Sequence, residues 1–93
     1  MNTYRVDFTP ESLRRDKDAR TRLMRDIRKV MKSMKGDEKP RYLWKRRTDR
    51  SLGYWFQLPA DIQKDKNAMK VLEPYGIHAA SVPVLPQSEW KPL

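Results

Sequence analysis

Apolar residues recur at helical spacing through residues 11–35. Set at about 100° per position, Ala19, Leu23, Met24, Ile27, Val30, Met31 and Met34 gather into an arc of roughly 140°, which predicts an amphipathic helix laid on a core. Asp16 and Arg20 also project onto this arc. Residues 9–17 are therefore either a separate turn or an extension beyond the core, with Asp16 or Asp18 capping the main helix. Thr9 suits an N-cap, Pro10 the first helical position and Glu11 the first turn, while Lys35 and Gly36 suit a helix stop.

Elsewhere the period changes to two. Tyr4, Val6 and Phe8 alternate with Arg5 and Asp7, predicting a half-buried strand over residues 3–8. Residues 41–47 and 52–58 are aromatic-rich strand candidates joined by Thr48, Asp49, Arg50 and Ser51, and so predict a hairpin with a basic tip. In the second strand Leu52, Tyr54, Phe56 and Leu58 share one face, expected in the core, and Gly53, Trp55 and Gln57 the other, expected outside. In the first, either Tyr42 and Trp44 or Leu43 faces inward. Burial of the two aromatics is favoured because it leaves Arg41, Lys45 and Arg47 solvated.

Ile62, Ala68, Met69, Val71 and Leu72 predict a shorter helix within residues 60–73, ended by Pro74, Tyr75 and Gly76. Residues 77–85 read as a last strand in which Pro83 implies an edge or a bend. The β-α-β-β-α-β order predicts a single ferredoxin-like α+β domain over residues 1–86: a four-stranded antiparallel sheet with both helices on one face. The other face is expected to be open and to expose Arg5, Asp7, Trp55 and Gln57. Residues 87–93 read as a loose tail in which Trp90 is the one residue suited to docking.

Composition narrows the functional classes. The chain has 93 residues and no cysteine, which excludes disulfides and thiolate chemistry and suits a cytoplasmic protein. No apolar run is long enough to span a membrane, and the N-terminal MNTYRVDFTP lacks the pattern of a signal peptide, so no membrane partner is expected. The net charge is +9. Residues 11–35 hold ten basic against four acidic side chains, so much of the surplus lies on one element. A field of one sign favours a polyanion as partner. The phosphate-binding candidates are Arg22, Arg25, Arg28, Lys29 and Lys32 on the helix, then Lys45, Arg46, Arg47 and Arg50 at the hairpin. Whether the two patches touch is left open by the pattern.

Gly53-Tyr54-Trp55-Phe56 resembles the centre of the octamer of the RNA-recognition-motif family, in which a glycine precedes third-strand aromatics that stack on bases. The resemblance implies that Tyr54 and Phe56 face RNA. The alternation of Leu52 with Leu58 implies instead that both lie in the core, leaving Trp55 either to stack on a base or to fill a sheet-face contact, and we follow the alternation. Leu52 also stands where the family has a basic residue, and Trp55 where it has a small one.

Catalytic candidates are few. His78 is the single histidine and has no apparent nucleophile partner. Asp7 ends the first strand, a position similar to the metal-binding aspartate of ferredoxin-like nucleases of CRISPR adaptation, which implies a metal-dependent nuclease acting as a dimer. The leading expectation is a non-enzymatic DNA- or RNA-binding protein without a cofactor, as a monomer or a homodimer. The alternative is a small regulator of the phage-encoded kind that covers an acidic protein surface, and the nuclease comes third.

Overall fold

The computed structural model describes residues 2–34, 39–83 and 89–93. They form a small α+β domain whose elements run β1 (Asn2–Phe8), α1 (Pro10–Arg15), α2 (Ala19–Ser33), β2 (Arg41–Arg46), β3 (Leu52–Leu58), α3 (Lys66–Leu72), β4 (His78–Ala79) and β5 (Lys91–Pro92). The strands make one antiparallel sheet in the order β4-β1-β3-β2-β5. Among the described residues there are thus five strands and three α-helices, where four and two are expected.

The long β1/β3 pairing follows from the period-two pattern of both strands. Tyr4 stands opposite Phe56, Val6 opposite Tyr54 and Phe8 opposite Leu52, so one face of the sheet is continuously apolar. Onto it α2 lays Ala19, Leu23, Ile27 and Val30, all buried, with Met24, Met31 and Met34 packed at the margin as the arc predicts. Ile62, Ala68, Leu72 and Ile77 close the same core. The Tyr4 hydroxyl, carried into this layer, accepts from the Ile62 N–H at 3.2 Å and lies 3.2 Å from Asp61 Oδ1, which ties β1 to the turn before α3. Burial pushes the phenol above its ordinary pKa.

The amphipathic stretch is two helices. Thr9 caps α1 by accepting from the Ser12 N–H at 3.1 Å, and Pro10 opens the helix. The chain then leaves the helical region at Asp16, the C-cap of α1, whose carboxylate accepts from the Asp18 N–H. Helix α2 starts after Asp18, which makes no side-chain cap bond, and ends at Ser33. The stop expected at Lys35 and Gly36 lies outside the described residues. Gly76, at φ 75°, ends the turn after α3 in the left-handed region.

Three expectations need correction. The final strand is short: only His78 and Ala79 pair with β1, and Ala80 adds one bond to the Thr3 carbonyl, after which Val82 is exposed and Pro83 has no N–H to offer. Leu85 and its neighbours lie outside the described residues. The C-terminal residues are not a loose tail, because Lys91 and Pro92 pair with β2 and the Leu93 N–H bonds the Pro40 carbonyl. Finally, the second sheet face is only partly open: Asp7 is exposed as expected, but Trp55 and Gln57 are buried. Trp90 packs on Leu43 and Trp55 as a second small cluster, and Trp55, expected outside, is only 9% exposed. Trp55 does lie on the face opposite the helices, as alternation requires. Arg5 sits over its ring at 4.7 Å, and Arg41 over that of Trp90 at 5.8 Å. Gly53 makes room for the indole, since a Cβ there would stand 2.9 Å from Trp55 Cζ3.

The two sheet faces also divide β2. Tyr42 is half-buried against the main core, while Leu43 is buried in the second cluster. Trp44 shares the face of Tyr42, yet it is 41% exposed.

Candidate nucleic-acid interface

The hairpin tip turns through a three-residue loop. Arg50 N–H bonds the Arg47 carbonyl, Arg47 N–H bonds the Ser51 carbonyl, and Arg50 occupies the left-handed region at φ 69°. Asp49 accepts from the Ser51 hydroxyl at 2.6 Å and the Ser51 N–H at 2.9 Å, bonds that hold its carboxyl below the usual carboxylate range. The one acid of the tip is thereby engaged within the loop.

The break between α1 and α2 brings a second set of cations to this tip. Pro10, Leu13, Arg14, Lys17, Arg20, Arg46, Arg50 and Leu52 line a cleft of about 530 Å³, so five cations and no acid form its wall. Among the described residues none of these five is in an ion pair. Like charges crowded at a partly apolar wall raise the local potential and concentrate anions there.

Arg20 links the cleft to an aromatic group. Its Nε donates to the Tyr54 hydroxyl at 2.7 Å, and its guanidinium carbon lies 5.3 Å from the Trp44 ring centre and 5.8 Å from that of Tyr54. Trp44 stacks on Tyr54 at 6.5 Å with 28° between planes, and Tyr54 on Phe56 at 6.2 Å. Tyr54 and Phe56 themselves are buried on the helix side, as the alternation predicts and against the register implied by the RNA-recognition-motif resemblance.

The candidates read from the sequence are divided by this geometry. Arg46 and Arg50 enter the cleft, whereas Arg47 is exposed beside it and Lys45 lies 3.9 Å from Glu89 on the opposite face. On α2, Arg22 is ion-paired with Asp16, and this contact holds the Asp16 carboxyl below, and the guanidinium above, their ordinary values. Arg25 lies 3.5 Å from Asp26, which also accepts from the Tyr75 hydroxyl at 2.5 Å. Burial raises the Tyr75 phenol. Arg28 and Lys32 flank a shallow hollow beside Met31 and Leu93 at the far end of the helix, and Lys29 is exposed. Of the α2 cations only Arg20 lines the cleft; Arg22, Arg25, Arg28, Lys29 and Lys32 are not among its lining residues.

Sequence reasoning therefore missed Arg14, Lys17, Arg20 and Trp44 as members of one site, and placed Trp55 in it although its ring is covered. One signal did point there. Arg20 falls on the apolar arc of α2, and a cation on a core-facing arc needs a partner, which is the Tyr54 hydroxyl. Asp7 bonds Arg5 at 2.9 Å, and among the described residues no group of three or more His, Cys, Asp or Glu side chains is placed to hold a metal ion. His78 is exposed, with Nδ1 3.1 Å from the Gly76 carbonyl. Among the described residues no helix is long and apolar enough to cross a membrane. No protein-family model, curated protein or solved structure shows significant similarity to this chain.

Proposed function

We propose that the chain is a non-enzymatic nucleic-acid-binding protein that holds the phosphate backbone in the cleft between the α1–α2 junction and the β2–β3 hairpin. The observation that carries this reading is the convergence of Arg14, Lys17, Arg20, Arg46 and Arg50 on one concavity without an acid in its wall. Guanidinium groups suit phosphate because their donors match two of its oxygens at once. The scaffold in this reading is a ferredoxin-like sheet, with β1 and β3 central and β4 and β2 outside them, extended at one edge by β5. That arrangement places the hairpin tip beside the start of the first crossover, where both sets of cations are found.

An acidic protein surface would satisfy the same charges. Phosphate is favoured because five of the eight lining side chains are cations, four of them arginines, and because an exposed indole adjoins the cleft. Charge reversal tests the reading. Arg46→Glu with Arg50→Glu is expected to abolish retardation of a mixed-sequence oligonucleotide at about 50 mM salt, while circular dichroism stays native. Failure of the unmodified protein to bind any DNA or RNA under those conditions would contradict it.

A further inference from the structure

Among the described residues the exposed large hydrophobic side chains are Trp44, Val71 and Val82, so Trp44 is the one aromatic in that set. It shares the face of β2 with Arg46, two residues on and roughly 7 Å away along a strand. Arg46 enters the cleft, and Arg20 both enters the cleft and lies against the Trp44 ring. The indole stacks against its cross-strand neighbour Tyr54, whose hydroxyl in turn fixes Arg20. Its orientation is therefore set before any ligand arrives, which lowers the ordering cost of using it. Trp55 and Trp90 cannot substitute, because they are buried together on the other face of the sheet.

A duplex presents phosphates on its outside but keeps the faces of its bases inside the stack, so it can fill the cleft without covering Trp44. An unpaired strand offers both groups at once: phosphates for the cations and a π-face for the indole. We infer that the site takes single-stranded nucleic acid, one base stacking on Trp44 while the adjoining phosphates lie among Arg20, Arg46 and Arg50. This rests on the phosphate-binding reading above and adds to it a choice of strand form. Stacking on an aromatic is tolerant of sequence, so little discrimination among bases accompanies it.

The test compares a labelled short mixed-sequence single strand of DNA with the blunt duplex of the same sequence, by fluorescence anisotropy at about 50 mM salt. The single strand should bind about ten-fold tighter than the duplex, and Trp44→Ala should remove about ten-fold from the single-strand affinity alone. Binding of the single strand should quench tryptophan emission, and Trp44→Phe should abolish that quench while retaining most of the affinity, which separates stacking from any loss of fold in the alanine variant. Equal affinity for the two forms, an equal loss of both in Trp44→Ala, or a quench that persists in Trp44→Phe would overturn the single-strand inference and leave the phosphate-binding reading standing. Binding of neither form, nor of the RNA strand of the same sequence and its duplex, would overturn both.

Discussion

The outer face of α2 and the cleft at the hairpin tip are both rich in arginine, and they differ in what stands beside each cation. On α2, Arg22 meets Asp16 and Arg25 meets Asp26, so part of the positive field is cancelled where it arises. In the cleft, five cations from two separate stretches of chain, the α1–α2 junction and the β2–β3 hairpin, line one wall with no acid among them. An exposed ion pair contributes little to stability but does occupy its arginine, whereas crowded cations are held in an unfavourable arrangement that an anion relieves. Counting charges along the chain ranks the α2 face first. Counting them in space reverses the order.

The largest expected effect separates these regions directly. Arg46→Glu with Arg50→Glu should weaken single-strand binding on the order of a hundred-fold or more, while Arg25→Glu with Lys29→Glu should cost less than about ten-fold, read by anisotropy at one salt concentration. The second effect concerns stability and leaves the cleft untouched. Trp90→Ala removes the cover from Leu43 and Trp55 and should cost about 2–3 kcal/mol in denaturant unfolding, below a full-core tryptophan deletion because the cluster is only three residues deep. Oligonucleotide affinity should not change, and a large loss of affinity would place part of the site on that face. Gly53→Ala should cost about 1–3 kcal/mol, since the added methyl meets the Trp55 ring.

A smaller effect sharpens the link between the tip and function. Arg50 is a non-glycine residue at φ 69°, a conformation that strains an L-side chain, and it lines the cleft. Arg50→Gly should therefore stabilise the fold by up to about 1 kcal/mol while weakening oligonucleotide binding. If both quantities fall together, the loop is held by Arg50 itself rather than in spite of it.

The smallest effect lies on α2. The hydrogen bond from Arg22 depresses the Asp16 carboxyl, so the pair contributes stability above the ordinary carboxylate pKa, and this is lost as pH falls through the lower folded value. Both side chains are exposed and solvent-screened, so thermal melts of Asp16→Asn should differ from the parent only slightly at neutral pH and converge with it in acid.

Much of the scaffold was legible because it is local. Alternation placed Tyr4, Val6, Phe8, Tyr54 and Phe56 in the core, and the Thr9-Pro10 pair marked a helix start. The arc from Ala19 to Met34 packed as its spacing implies. The missed features are those that depend on residues far apart in the chain. No periodicity reports that the junction holding Arg14, Lys17 and Arg20 folds against Arg46 and Arg50. Reading one face of the sheet as polar also hid a cue, since Leu43 and Trp55 are cross-strand partners and two large apolar groups facing each other require a cover, which Trp90 supplies. Once that cover is in place, the exposed indole is Trp44 rather than Trp55.

The most direct test of where phosphate binds is the salt dependence of single-strand affinity in three proteins: the parent, Arg46→Gln/Arg50→Gln and Arg25→Gln/Lys29→Gln. Each phosphate contact contributes about 0.7 to the slope of log affinity against log salt for a single strand. The cleft pair should lower the slope by about 1.4 and the α2 pair should leave it unchanged, by the same relation. A slope that falls in the α2 variant and holds in the cleft variant would contradict the account.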